Sequence, residues 1–179
     1  IQGCLLSSRS DDSSGYVTIG LESEPTHLDP RYATDANSTR LGTLLFDSLT
    51  QLDEKLQFKP DLAKSWERVD ALTYIFHLRR GVTFHNGKSL TATDIKFTYE
   101  FVLDPKNGSP KRGELRWLKS VNVVGPYTVR FRLLTPHAPF LENSTLGIVP
   151  AGSPVQKNWN KGRLIGSGPF FLDKYYPGE

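Results

Sequence analysis

PDLAKSWERVDALTYIFHLRRGVTFHNGKSLTATDIKFT, Pro60–Thr98, is the most strongly patterned part of this chain. From Leu72 to Arg79 the residues alternate, with Leu72, Tyr74, Phe76 and Leu78 facing one way and Thr73, Ile75, His77 and Arg79 the other. That is the period of a half-buried strand. Gly81 breaks the chain, Val82 and Phe84 restart the alternation, and Asn86-Gly87 is a dipeptide suited to the positive backbone angles of a tight turn. Two strands or extended segments are therefore expected to meet here. Upstream, the spacing of Leu62, Ala63 and Trp66 predicts a short helix after Pro60, docked through Trp66. Downstream, Thr91 is placed to cap a second helix by accepting from the amides of its first turn, while Asp94 complements the helix dipole. Ile95, Tyr99 and Val102 then form an apolar stripe over about three turns.

The flanking sequence extends this mixed pattern. Val17, Ile19 and Leu21 predict a strand over Tyr16–Leu21, followed by a loop enforced by Pro25 and Pro30. A helix is expected over Ser38–Leu49, with Leu41, Leu44, Leu45 and Leu49 as its stripe and either Asn37 or Ser38 as its cap. Pro105-Lys106-Asn107-Gly108-Ser109-Pro110 is too rich in turn formers for a helix, and Lys111-Arg112-Gly113 continues it as an exposed loop. Val121–Val124 and Thr128–Leu134 flank Gly125-Pro126 as an antiparallel hairpin with one wet face. Pro136, Pro139, Pro150 and Pro154 punctuate the next segment, in which Phe140, Leu141, Leu146 and Ile148 are expected to anchor a helix and a strand end.

Composition narrows the classes of function. Hydrophobic residues make up 37% of the 179 residues and charged ones 23%, with no apolar run long enough to span a bilayer. The net charge of +3 comes from 22 basic and 19 acidic residues without a block of like charge, a mixed solvated surface that argues against nucleic acid as a partner. Catalysis finds little support. His27 lies near Asp29 in a proline-flanked loop, where a neutral imidazole bonds readily to backbone groups. His77 and His85 lie on segments that could pair, but too few further ligands accompany them to hold a metal. Gly166-Ser167-Gly168-Pro169 lacks the lysine and helix of a phosphate-cradling loop, and Pro169 excludes a nucleophile elbow. No catalytic residue, metal or cofactor is expected.

The order of four motifs resembles the N-terminal part of the family-5 extracytoplasmic solute-binding proteins of ABC importers, which bind peptides, oligopeptides or nickel. These are EP-x-x-LDP at Glu24–Pro30, P-x-LA-x-SW-E at Pro60–Glu67, TYIFHLRRGVTFHNGKSLTATDIKF at Thr73–Phe97, and GSGPFFL at Gly166–Leu172. The resemblance covers residues 17–179 and implies an α/β (mixed α+β) fold of the periplasmic-binding-protein-like type II. Family chains are much longer and close two lobes around a cleft, so a fragment lacking the second lobe is expected here. On the family pattern, residues 1–15 form a tether, 16–46 begin the hinge-bearing lobe, 47–165 form an outer subdomain, and 166–179 return to the first lobe.

The resemblance also implies function: capture of peptides or similar small solutes outside the cytoplasm, followed by delivery to ABC permease subunits. A solute-sensing or interaction module of the same fold is the alternative. The loop after Leu-Asp-Pro lines the ligand cavity in such proteins, which makes Tyr32, Ala33, Thr34, Asp35 and Ala36 candidates. Glu24, at the end of the first predicted strand, suits a ligand amine or is a solvated carboxylate before Pro25. Lys111 lies where some relatives carry an aromatic residue. Its ammonium removes stacking there and favours an acidic ligand, or belongs to a solvated loop. Trp66, Tyr74, Phe76, Phe84 and Phe97 are read as core anchors. Gly3-Cys4, preceded by Ile1 and followed by the polar run Ser7–Gly15, looks like the acylated start of a bacterial lipoprotein, with membrane attachment through Cys4; the other reading is a lone thiol in a disordered tail.

Overall fold

Strand β4 (Thr73–Leu78) lies at the centre of the larger sheet in a computed structural model that describes residues 20–155 and 164–176. Cys4 and most of the strand expected over Tyr16–Leu21 lie outside the described residues; the described Gly20 and Leu21 are irregular. Helix α1 (Ala36–Leu45) comes first, then β1 (Thr50–Leu52), β2 (Phe58–Pro60), β3 (Ala63–Asp70) and β4. Helix α2 (Ala92–Leu103), β5 (Leu118–Gly125) and β6 (Thr128–Leu133) follow. Short 3₁₀ helices occupy Pro105–Asn107, Pro110–Gly113 and Ala138–Thr145.

The four-stranded sheet is antiparallel with order β3-β4-β6-β5, and β1 and β2 form a separate ribbon. Alternation in β4 and β6 places Tyr74, Phe76 and Leu78 beside Val129, Phe131 and Leu133 on one buried face. Helix α2 covers it: the Tyr99 ring meets Phe131 edge-on at 4.9 Å, and Ile95 and Val102 are fully buried. Tyr74 and Phe140 are 4.5 Å apart between ring centroids, closing the other end. Arg130 and Arg132 point outward, so the hairpin's wet face is as the alternation requires.

Asp94 fastens α2 at its start. Its Oδ2 accepts from the Thr91 amide at 2.8 Å and the Thr91 hydroxyl at 3.1 Å, while Oδ1 accepts from the Ala151 amide at 2.8 Å. The Thr91 hydroxyl is thus turned toward the carboxylate, and Asp94, the partner of this N-cap, also holds a distant loop.

Several local expectations are corrected. The predicted helix after Pro60 is strand β3, because a bulge shifts the register: Ala63 faces Leu78, Ser65 faces His77 and Trp66 faces Phe76. The extra residue brings Ala63 and Trp66, three apart, to the same face and imitates helical spacing. The Asn86-Gly87 turn exists, with Gly87 at φ 79°, but Asn86 does not share its positive angle. Residues 82–84 pair only through a Thr83–Ser89 bridge; β4 pairs instead with β3 and β6. Helix α1 begins and ends earlier than expected, leaving Leu49 outside it but fully buried in the main core. The expected strand end after Leu146 is irregular, although Ile148 is fully buried.

A second apolar cluster contains Leu28, Leu45, Phe46, Val149 and Leu164, with Leu41, Phe97 and Leu172 packed against it. It lies where the chain returns past α1. The Gly168 amide donates to the Leu45 carbonyl at 3.1 Å and the Phe170 amide to that of Leu44 at 3.0 Å. A Cβ on Gly166 would come 1.9 Å from the Leu45 oxygen, and one on Gly168 2.6 Å from the Leu44 oxygen, so both positions require glycine.

Candidate functional site

The Leu28-Asp29-Pro30-Arg31 loop is fixed by a buried ion pair. Arg31 donates from Nε to Asp29 Oδ1 at 2.9 Å and from Nη2 to Oδ2 at 2.7 Å, and both side chains are almost fully buried. The remaining guanidinium donors reach the Ser153 and Pro154 carbonyls, and Phe101 lies beneath the charge with its ring centroid 4.1 Å away. This satisfies nearly the whole donor fork of the buried cation. The sequence reading missed Arg31; its signal was an acid and a base two residues apart around a proline.

The loop also carries the segment after α2. The Ser109 hydroxyl donates to the Arg31 carbonyl at 2.7 Å and accepts from the Lys111 amide at 3.3 Å, beginning the second 3₁₀ turn. The Tyr32 hydroxyl donates to the Asn107 carbonyl. Lys111 is consequently half-buried, a correction at that residue to the exposed loop expected over Lys111–Gly113, whose Arg112 and Gly113 are exposed as expected.

A cavity of about 470 Å³ opens between these elements. Pro30 and Ala33 supply one side, Ser38, Thr39, Gly42 and Thr43 the flank of α1, and Thr50–Leu52 the opposite wall. Lys111 is its one charged lining residue among those described. Burial pushes the Lys111 ammonium below its usual range, partly offset by Glu114 and Asp29.

The other candidates are engaged elsewhere in the structure. Asp35 caps α1: its carboxylate accepts from the Ser38 amide at 2.8 Å and from the Ser38 and Thr26 hydroxyls. Those bonds hold it far below the usual carboxylate range, Ser38 contributing most. The cap is therefore Asp35, not Asn37 or Ser38. Tyr32 stacks on His27 with centroids 5.1 Å apart and is pushed up in pKa by burial and by Asp29. Thr34 and Ala36 are exposed at the start of α1, and Glu24 accepts from the Tyr175 hydroxyl at 3.4 Å. The structure brings Ala33 and Lys111 together on the cavity; it leaves Glu24, Tyr32, Thr34, Asp35 and Ala36 outside its lining.

The histidines serve the backbone. His27 Nδ1 accepts from the Asp29 amide at 3.2 Å. His85 Nδ1 accepts from the Gly166 amide at 3.2 Å, which leaves Nε2 to donate to the Gly168 carbonyl at 2.9 Å. His77 instead lies 3.5 Å from Glu67, so His77 and His85 do not form a joint site. Among the described residues no group of three His, Cys, Asp or Glu side chains could hold a metal ion. No helix among them is long and apolar enough to cross a membrane.

Comparison with known proteins agrees with this architecture. A profile described as bacterial extracellular solute-binding proteins, family 5 middle, matches residues 57–179. The oligopeptide-binding protein AppA of Bacillus subtilis is 35% identical over 176 residues, covering 92% of this chain and 32% of AppA. The structure of AppA in complex with a nonapeptide superposes with a TM-score of 0.81 at 36% identity, over 87% of this chain and 33% of AppA. NikZ from Campylobacter jejuni, in complex with Ni(L-His), gives 0.77 at 34% identity, over 89% and 33%. The chain thus spans about a third of the length of these relatives, and its fold is part of a type II periplasmic binding protein. The chain belongs to the bacterial extracellular solute-binding proteins of family 5.

Proposed function

We propose that the protein containing this chain is the extracytoplasmic receptor of an ABC importer, capturing peptides or similar small solutes and handing them to the permease. The observation that carries this reading is the cavity between the Asp29–Arg31 loop, α1 and Lys111, in a chain similar to a nonapeptide-binding protein. A type II binding protein works by closure: solute contacts made only when two lobes meet shift the population toward the closed form, giving the permease a distinct surface. The smaller apolar cluster brings Phe97, Val149 and Leu164 from residues 47–165 onto Leu28, Leu41, Leu45 and Phe46, so in this reading it is the seam between the hinge-bearing lobe and an outer subdomain built on the larger core. Glu24, Tyr32, Thr34, Asp35, Ala36 and Lys111 form the solute-facing rim in this reading.

Capture requires no turnover, and bound solute is released chemically unchanged. Cys4 serves as a lipid anchor, supported by the preceding Gly3 and the polar segment after it. Titration calorimetry of the full-length protein against a peptide library, with chromatography of the recovered ligand, tests the main reading. Saturable binding of intact peptide supports it; no binding among peptides, sugars and metal chelates, or conversion of the ligand, contradicts it. Labelling with a radioactive fatty acid tests the anchor, which predicts label in the wild type and none in Cys4→Ala.

A further inference from the structure

The cavity beside α1 has an asymmetric arrangement of hydrogen-bonding groups. Six hydroxyls border it, those of Ser38, Ser48 and Thr50 buried and those of Thr39, Thr43 and Thr145 exposed, and each donates into the protein. Ser38 donates to Asp35, Thr39 to the Asp35 carbonyl, Thr43 to that of Arg40, Ser48 to that of Thr50, and Thr145 to that of Glu142. The Ser144 hydroxyl donates to the Leu141 carbonyl, so Thr50, which shares a hydrogen bond with Ser144, donates to it. Ser38 also accepts from the His27 amide at 3.0 Å, and it is the exposed Thr39, Thr43 and Thr145 hydroxyls that retain only lone pairs to offer a solute. The side-chain donors left along the lining are the Gln51 amide and the Lys111 ammonium.

Lys111 is distinctive among the cavity residues. Its ammonium makes no hydrogen bond or ion pair among the described residues, although it is held half-buried by the Ser109 cap. A partly desolvated cation gains more from an anion than an exposed lysine does, because less water screens the contact. Resting on the reading of the protein as a solute receptor, we propose that this cavity selects an amide-bearing solute that also carries a carboxylate, with the carboxylate seated on Lys111 and its N–H groups facing the hydroxyl lone pairs. The direction of the Lys111 pKa agrees, since a bound carboxylate would restore the charged form that burial disfavours.

In a peptide the carboxylate is supplied by an acidic side chain or by the C-terminus. The test is calorimetry on the full-length protein with four matched pentapeptides, a Glu and a Gln version, each with a free or an amidated C-terminus. In the wild type, removing the responsible carboxylate is expected to weaken binding about tenfold, and the arm that shows the loss identifies which carboxylate is read. In Lys111→Met, folded as judged by an unchanged melting temperature, that discrimination should fall to about one. Lys111→Arg should retain much of it and supplies the comparison if Met destabilises the protein. Equal binding of all four peptides by the wild type, or a carboxylate preference that survives Lys111→Met, overturns this inference alone. Failure of all four to bind overturns this inference, and the receptor reading falls with it only where the wider set of peptides, sugars and metal chelates also fails to bind.

Discussion

Asp35 directs its carboxylate into the first turn of α1, where it accepts from the Ser38 amide at 2.8 Å. Asp35→Ala is expected to cost about 1 kcal/mol, measured by urea unfolding at neutral pH. The folded pKa of Asp35 is depressed below its ordinary value of 3.8, so its electrostatic contribution is complete above that value and is lost as pH falls through the folded one. Asp35→Asn lacks this titration, and its stability difference from the wild type should therefore narrow between neutral pH and pH of about 3. A constant difference would contradict the assignment. Gly166 is constrained by shape alone. A methyl group there meets the Leu45 backbone oxygen at 1.9 Å, which cannot swing aside as a side chain would, so Gly166→Ala should cost about 2 kcal/mol or more in the same measurement. For Asp29, removal of the carboxylate strands the buried Arg31 cation. Asp29→Ala should cost about 3–5 kcal/mol, and a double variant Asp29→Ala with Arg31→Met should recover part of it.

The elements whose apolar residues follow one uninterrupted period are legible in the sequence. Strands β4 and β6 alternate cleanly, and α2 carries both a reciprocal cap at Thr91 and Asp94 and a buried stripe at Ile95, Tyr99 and Val102. Strand β3 was not legible, because the bulge between Ala63 and Ser65 changes the phase of the alternation and makes Ala63 and Trp66 look helical. The start of α1 was ambiguous for another reason. Asp35, Asn37 and Ser38 can all cap a helix, and Asp35 additionally gains the Thr26 hydroxyl from outside the local sequence. Ribbon β1–β2, with three residues in each strand, offers too little periodicity to notice. Lys111 was singled out in the sequence, but its placement was hidden there: the Ser109–Arg31 bond that seats its turn spans 78 residues. Ser109→Ala should release that turn, leave a buried carbonyl without its donor and cost about 1–2 kcal/mol. Hydrogen exchange should then accelerate at the Lys111 and Arg112 amides while α2 stays protected. Unchanged exchange there would show that other contacts seat the turn.

At the scale of the molecule, two apolar clusters meet near α1, and the returning Gly166–Phe170 segment crosses the C-terminal end of that helix. His85 joins the two regions by reading the backbone on both sides of Ser167, at Gly166 and Gly168. Beside it, burial raises the pKa of Asp47, an effect that Ser167 and His85 partly offset. This arrangement bounds the cavity with the Asp29–Arg31 loop and α1, and the turn that carries Lys111 is anchored to the same loop. A receptor benefits from such a wall because a preformed surface loses little conformational entropy when a solute arrives. The decisive measurement is hydrogen exchange of the full-length protein with and without a saturating peptide. Protection should concentrate at residues 31–45 and 109–113, with the strands β3–β6 essentially unchanged. Saturable binding that leaves both segments unprotected would contradict the assignment of this surface as the solute-facing wall.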